Sequence, residues 1–133
     1  VGGLSHALSE LVEKTSQLFG NRCEFSCPQP VSDLDNTQAT HLYRIAQESV
    51  TNAVKHGQAS HIAVSLTETP LTLVLSIRDN GIGLSHPAPK AEGMGLRIMR
   101  YRADIIGGDL TLTSPPSGGT TVTCTLHRPS KSN

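Results

Sequence analysis

Three segments of the chain repeat their apolar residues at the spacing of an amphipathic α-helix. They span residues 4–18, 38–55 and 93–106. The residues predicted to face inward in the second segment are Leu42, Ile45, Ala46, Ser49, Val50, Ala53 and Val54. Those of the third are Leu96, Ile98, Met99, Ala103 and Ile106. Glycines follow each segment, at Gly20, Gly57 and Gly107–Gly108, and are predicted to end the helices.

Apolar and polar residues alternate between the second and third helical segments and after the third, as in strands with one buried face. The alternating segments span residues 62–66, 71–77, 110–112 and 122–126, and a short strand is also predicted at 23–27. Tight turns at 67–70 and 114–119 indicate antiparallel hairpins. The pattern predicts an α+β fold: a two-layer α/β sandwich whose mixed, mostly antiparallel sheet is covered on one face by three helices. Residues 84–92 are predicted to form a loop, and residues 127–133 a polar tail.

Length and charge narrow the possible functions. The 133 residues suit a single domain, and eleven basic against eleven acidic side chains give a net charge of zero. A neutral chain argues against direct nucleic-acid binding. No apolar run approaches the ~20 residues of a membrane span, so no membrane contact is expected of this chain.

The three cysteines favour a reducing, cytoplasmic location, because their number is odd and no signal peptide precedes them. Cys23 and Cys27 have the spacing of half a zinc site, but no second ligand pair follows them. Cys124 lies in an alternating segment and is predicted to be a buried, small apolar residue.

A polar stripe runs along the second predicted helix. Arg44, Glu48, Asn52 and Lys55 share one face of it, and His56 lies at the margin. One interpretation is a solvated face with simple i, i+4 pairs. The other is chemical: a carboxylate and an amide oxygen one turn apart suit Mg²⁺, and a lysine one turn further suits phosphate.

Two glycine-rich motifs follow. Asp79-x-Gly81-x-Gly83 ends a strand, where it forms either an ordinary turn or a site in which the carboxylate accepts a hydrogen bond from an amine such as that of adenine. The glycines would let a flat base approach the backbone closely. Gly93-x-Gly95 opens the third helical segment, as a flexible loop or as a phosphate site built from free N–H groups.

Thr120, in the Gly119-Thr120-x-Val122 segment, lies either in a plain hairpin or within reach of a base.

Together and in this order, the motifs resemble the ATP-binding catalytic domain of bacterial sensor histidine kinases, whose Bergerat fold is shared with gyrase, Hsp90 and MutL (the GHKL group). Residues 42–56 resemble its N box, 79–83 its G1 box, 93–96 its G2 box and 119–122 its closing strand. The resemblance covers residues 40–126. The Arg-Ile-x-Gln-Glu-Ser run and the Met99-x-x-Arg102-Ala103 segment resemble the nitrate-sensor and DesK-like subfamily.

The resemblance implies ATP and Mg²⁺ as cofactors, with the γ-phosphoryl group of ATP transferred to a histidine. It implies ATP contacts by Asn52, Lys55, His56, Asp79, Gly81, Gly83, Gly93, Gly95, Leu96 and Thr120. Asn52 would coordinate Mg²⁺, and Glu48 would support the metal through water, which makes these two the catalytic pair. Residues 84–92 would be the ATP lid. The role of Arg97 is left open between phosphate binding and plain solvation.

The resemblance also implies partners. His6 is followed by Ala7 and lacks the acidic neighbour of a phosphoacceptor, so the accepting histidine is expected on a separate dimerisation domain of the same kinase. Residues 1–18 are then either a remnant of that domain's helical hairpin or the first helix of this one. The expected final partner is a response regulator with a helix-turn-helix output domain.

Three other functions share the fold. One is a serine kinase of the anti-sigma-factor type, and another is a hydrolytic ATPase of the gyrase or MutL kind, which has long additional segments. The third is a non-catalytic, nucleotide-dependent module for protein interaction.

Overall fold

The periodic segments form three helices and five strands in the part of the chain that the computed structural model describes, residues 3–31, 34–82, 90–116 and 118–128 without the side chains of 90–94. The helices are α1 (Gly3–Phe19), α2 (Asn36–Lys55) and α3 (Lys90–Ile105). The strands are β1 (Arg22–Ser26), β2 (His61–Glu68), β3 (Thr72–Asp79), β4 (Gly108–Thr113) and β5 (Thr120–His127). No helix in these ranges has both the length and the apolar character needed to cross a membrane.

The strands form one sheet in the order β1-β2-β3-β5-β4. β1 pairs with β2 in parallel, and the other pairs are antiparallel. The predicted mixed, mostly antiparallel sheet in a two-layer α+β fold is therefore confirmed. β5 lies between β3 and β4, which places its first residue, Thr120, opposite the last residue of β3, Asp79.

The core lies between the helices and one face of the sheet. Alternate residues of β2, β3 and β5 are buried there, as the period-two pattern predicts. The largest fully buried side chains include Leu8, Leu42, Ile45, Ile62, Leu66, Leu73, Leu75, Ile77 and Met99. Burial of each contributes roughly 1.5–3 kcal/mol. Cys124 is fully buried among them, as expected, and burial raises the pKa of its thiol to about 11.

Three apolar residues of the periodic segments are exposed rather than buried. Leu18 lies in the last turn of α1 and is 76% exposed, and Leu71 lies in the turn before β3. Ile98 of α3 is 40% exposed. At about 100° per residue, Ile98 points well away from the stripe formed by Leu96 and Met99. Leu18 and Leu71 lie at the ends of their segments, beyond the buried part of the pattern, whereas Ile98 lies on the exposed face of α3.

Capping residues set the helix ends. Asp35 caps α2: its Oδ1 accepts from the Gln38 N–H at 2.7 Å, and the Gln38 side chain accepts from the Asp35 N–H. Gly20 and Gly107 take left-handed φ values of 71° and 69° after α1 and α3, as predicted. After α2 the left-handed residue is Gln58, not Gly57. Gly57 serves a different purpose, described below.

Two other boundaries differ from the sequence prediction. α3 begins at Lys90, three residues before Gly93, because Lys90, Ala91 and Glu92 all have high helix propensity. Only residues 90–92 of the predicted lid are described, and they are helical; the rest of it lies outside the described residues. His127, assigned to a polar tail, belongs to β5.

Candidate functional site

A cleft opens where α2 and α3 meet the sheet. It encloses about 530 Å³ between protein atoms, part of it open to solvent. Its lining residues are Ser49, Asn52, Ala53, Gly57, Ile77, Asp79, Leu96, Met99, Leu112, Thr120 and Val122. Four predicted site residues, Asn52, Asp79, Leu96 and Thr120, therefore come together from four separate motifs. A mostly apolar wall with a few convergent polar groups is typical of a small-molecule site.

Asp79 is the ionisable group at the sheet end of the cleft. It is half-buried at the end of β3, and its Oδ1 accepts from the Gly81 N–H at 2.8 Å. The backbone N–H of Thr120 also donates to its carboxylate. These two bonds fix the orientation of the carboxylate.

Two close backbone contacts hold the turn that carries Asp79. Gly119, with φ 85°, donates its N–H to the Gly81 carbonyl at 2.7 Å, and a Cβ at Gly119 would lie 2.5 Å from the Asp79 carbonyl oxygen. On the other side, the Ile82 N–H donates to the Gly57 carbonyl at 2.9 Å. A Cβ at Gly81 would overlap that Gly57 oxygen. The Asp79 turn thus packs directly on Gly57, two residues after the end of α2.

Gly81→Ala is expected to lower the free energy of unfolding by about 1–3 kcal/mol, the usual cost of an added methyl in a closely packed site. The atom it meets is a backbone carbonyl, which has little freedom to move aside. Denaturant unfolding measures the change. Gly3→Ala is the matched control, because a Cβ there meets nothing within 4 Å. A loss in Gly3→Ala equal to that in Gly81→Ala would contradict the packing argument.

Asn52 and Glu48 lie one turn apart on α2, facing the start of α3. A Cβ at Gly95 would lie 2.7 Å from Glu48 Oε2 and 3.4 Å from Asn52 Nδ2. Gly95 itself is buried. Glycine therefore allows α3 to pass directly over both side chains. Among the described residues, no group of three or more His, Cys, Asp or Glu side chains is arranged to hold a metal ion.

The fit of this arrangement to Mg²⁺ follows from its donor set. One carboxylate and one amide oxygen match the few protein ligands that Mg²⁺ usually takes, with nucleotide phosphates and water supplying the others. Glu48 and Asn52 suit such a shared site, and Mg²⁺ binding there would depend on the nucleotide.

Other predicted residues lie at the margin or outside the description. Lys55 and His56 are exposed at the end of α2, and Arg97 is exposed on α3; none is among the cleft-lining residues. Gly83 falls outside the described residues. Gly93 lies within α3, and its role stays a prediction.

The backbone of α3 bears on the predicted phosphate contacts. In a helix, only the first four N–H groups lack partners within the helix. Since α3 starts at Lys90, the N–H groups of Gly95 and Leu96 come after these four. In this geometry they bond within the helix. For them to bind phosphate, the beginning of α3 has to unwind. The side chain of Leu96, in contrast, lines the cleft as it stands.

The floor of the cleft was not predicted as part of the site. Ser49 is buried on α2, where its hydroxyl lies 2.8 Å from the Ile45 carbonyl and 3.3 Å from the sulfur of Met99. The sequence pattern assigned Ser49 and Met99 only to the core. A serine on an otherwise apolar helix face was the available signal, because such a position requires a partner.

Burial raises the pKa of the Asp79 carboxyl, and the N–H groups of Gly81 and Thr120 oppose that rise. The folded chain therefore holds this proton more tightly than the unfolded chain. The resulting stabilisation is complete at low pH and is lost as the pH rises through the raised pKa. At neutral pH the ionised carboxylate costs folding free energy, which a hydrogen-bond donor in the cleft would offset.

Adenosine affinity is expected to fall as the pH is lowered towards the raised pKa of Asp79. The fall should begin at a higher pH than the titration of an ordinary aspartate would give. An ionised carboxylate accepts more strongly from an amino group than a protonated one. Adenosine avoids the titration of phosphate groups. Calorimetry between neutral pH and about pH 4.5, with circular dichroism to verify folding, measures the effect. A pH-independent affinity would exclude Asp79 as the acceptor.

Comparison with known proteins agrees with this geometry. Residues 37–130 match the family described as histidine kinase-, DNA gyrase B- and HSP90-like ATPases. The nitrate/nitrite sensor proteins NarQ and NarX of Escherichia coli (strain K12) are 40% and 36% identical, each over 93% of this chain. The chain spans only 22% and 21% of their lengths. The ATP-binding domain of PrrB from Mycobacterium tuberculosis shares the fold, with a TM-score of 0.73 at 23% identity over 96% of this chain and 95% of that one.

Proposed function

This chain belongs to the family of histidine kinase-, DNA gyrase B- and HSP90-like ATPases, and we propose that it is the ATP·Mg²⁺-binding catalytic domain of a sensor histidine kinase. In this role it transfers the γ-phosphoryl group of ATP to a histidine on a separate dimerisation domain. The observation that carries the proposal is the cleft in which Asn52, Asp79 and Thr120 converge. The similarity to two nitrate/nitrite sensors supports the kinase class.

Different residues of the cleft bind the adenine end and the phosphate end of ATP. Asp79 accepts from the adenine amino group, Thr120 lies beside it, and the apolar walls exclude water from the base. Asn52 and Glu48 hold the metal side, with Mg²⁺ neutralising charge on the phosphates. Phosphoryl transfer depends mainly on such positioning and charge neutralisation.

Lys55 and His56 take the outer phosphate side, where their exposure leaves them free to meet a charged group. Gly83 leaves room for the base and ribose, while the missing side chain of Gly81 lets the Asp79 turn pack against the Gly57 carbonyl. Gly93, Gly95 and Leu96 offer N–H groups to the phosphates once the start of α3 has unwound.

The remaining partners follow from the reaction. The γ-phosphate passes to the histidine-bearing dimerisation domain and then to a response regulator, for which a helix-turn-helix output domain is proposed from the subfamily resemblance. Both ATP and a response regulator place the reaction in the cytoplasm. The nature of the stimulus does not enter the chemistry of this domain.

Radiolabelled ATP tests the proposal. The chain is incubated with γ-labelled ATP and Mg²⁺, alone and with the dimerisation domain of the same kinase as a separate polypeptide. Label is expected on that domain only, as an acid-labile phosphohistidine. Label on this chain alone would contradict the division of roles, with His6 as the first position to examine. His6 is exposed and lies 3.4 Å from Glu10.

The same experiment separates the alternatives. Acid-stable label on a serine of a partner would indicate the serine kinase. Rapid release of inorganic phosphate without a labelled protein would indicate a hydrolytic ATPase. Nucleotide binding without transfer would indicate an interaction module.

A further inference from the structure

Asn80 makes an unusual set of contacts for a turn residue. Its Oδ1 accepts from the backbone N–H groups of Ser60 at 3.0 Å and His61 at 2.9 Å. Its Nδ2 donates to the hydroxyl of Ser60 at 3.0 Å. Both acceptor positions of the side-chain oxygen are therefore used. The backbone N–H of Asn80 also donates to the His61 carbonyl at 3.2 Å.

These bonds are not the local ones that make asparagine common in turns. An Asx turn joins a side chain to the backbone about two residues away, whereas Asn80 reaches residues 19 and 20 positions earlier in the chain. Ser60 is the last residue of the connection between α2 and β2, and His61 is the first residue of β2. The side chain thus ties the end of β3 to the last residue of the connection from α2 and to the start of β2.

Through this tie, the strand end that carries Asp79 is connected to the part of the chain that leads back to α2. On one side of Asn80 is Asp79, the proposed adenine acceptor. On the other side of the tie, Ser60 ends the connection 56–60, which leads back to the helix that carries Asn52. Backbone bonds from Ile82 to Gly57 and from Gly119 to Gly81 run nearby, but they do not depend on which side chain stands at position 80.

We propose that Asn80 is a positioning residue for nucleotide binding: its side chain fixes the Asp79 turn relative to α2, and so holds the adenine acceptor in place against the wall of the cleft that α2 forms. This inference rests on the proposed function of the cleft. Asn80 itself does not touch the nucleotide. It acts by pre-organisation, since binding groups have to be held to within about 0.5 Å to contribute fully.

The test compares Asn80→Ala with Thr69→Ala. Thr69 lies in the turn at the far end of β2 and β3, and its hydroxyl also makes three bonds, to the Leu71 N–H, the Thr72 N–H and the Thr72 hydroxyl. Both variants lose three turn hydrogen bonds. Both are expected to lower the unfolding midpoint by roughly 3–8 °C.

Nucleotide affinity is measured by calorimetry well below every unfolding midpoint, with ATP·Mg²⁺ and with adenosine. Asn80→Ala is expected to weaken both ligands by the same factor, about tenfold, because the adenine end is misplaced. Thr69→Ala is expected to bind as the wild type does. Asn80→Asp, which keeps the accepting oxygen and lets the Ser60 hydroxyl donate, is expected to stay within about threefold of the wild type.

Each outcome decides the matter. Wild-type affinity in Asn80→Ala despite its lower midpoint would overturn the proposal and leave Asn80 a purely structural residue. Equal weakening in Thr69→Ala, or loss of ATP affinity without loss of adenosine affinity, would overturn it too. If Asn80→Ala does not fold, Asn80→Ser, too short to reach both N–H groups, replaces it with the same expectation. Failure of the wild type to bind adenine ligands at all would instead refute the proposed function.

Discussion

Asp79→Asn is expected to weaken ATP binding by on the order of 100-fold while the chain stays folded. A hydrogen bond to a charged group contributes about 1.5–3 kcal/mol. The carboxylate already accepts from the Gly81 and Thr120 N–H groups. An amide at position 79 has one accepting oxygen and one donating NH₂ group. The NH₂ group must therefore face another donor, either one of the two backbone N–H groups or the adenine amino group.

A change of nucleotide preference identifies the cause of this loss. Guanine carries an oxygen where adenine carries its amino group, so the new amide has a partner in GTP and none in ATP. The ratio of ATP to GTP affinity is therefore expected to fall in Asp79→Asn. Asp104→Asn is the matched control, since Asp104 is exposed on α3. An unchanged ratio, with both affinities reduced alike, would point to a general distortion of the cleft instead.

Asn52→Ala is expected to remove the contribution of Mg²⁺ to ATP affinity and to reduce phosphoryl transfer by about 100-fold or more. In the proposed site this side chain would supply the amide oxygen that coordinates Mg²⁺. Loss even of an outer-shell partner usually costs 10–100-fold in metal affinity. Titrations of ATP with and without Mg²⁺ measure the first effect, and labelling of the dimerisation domain measures the second.

Asn36→Ala is the matched control for this substitution, because Asn36 is exposed at the opposite end of α2, roughly 24 Å away. Alanine is a better helix former than asparagine, so neither variant should lose helix stability. Adenosine binding should be unaffected in both. If Mg²⁺ strengthens ATP binding in Asn52→Ala as much as in the wild type, Asn52 does not hold the metal.

The local parts of the structure were accessible from the sequence. The polar stripe on α2, the hairpin of β2 and β3 and the glycine after α1 each follow from patterns within a few residues. The strand order was not predicted, because pairing of β1 with β2 and insertion of β5 between β3 and β4 join segments far apart in the chain. The periodicity of a strand identifies its buried face but not its neighbour.

The residues of the candidate site were also only partly predictable from the sequence. Asp79 and Asn52 stand in recognisable motifs, and both line the cleft. Ser49 and Met99 were assigned to the core, since a residue on the floor of a cleft and a residue buried beneath that floor occupy the same positions in the sequence pattern. The contacts of Asn80 were hidden for another reason: an Asn-Gly pair signals a turn, and nothing local reveals a partner twenty positions away.

The pairing of Asp79 with Thr120 makes the cleft sensitive to errors made during folding. A slip of one residue between strands turns every side chain to the opposite face of the sheet. A misregistered β3 would carry the Asp79 carboxylate away from the helices and leave a chain with near-native secondary structure but no adenine acceptor. Nucleotide present during refolding would stabilise only correctly registered molecules by mass action, and would so draw the population towards the native pairing.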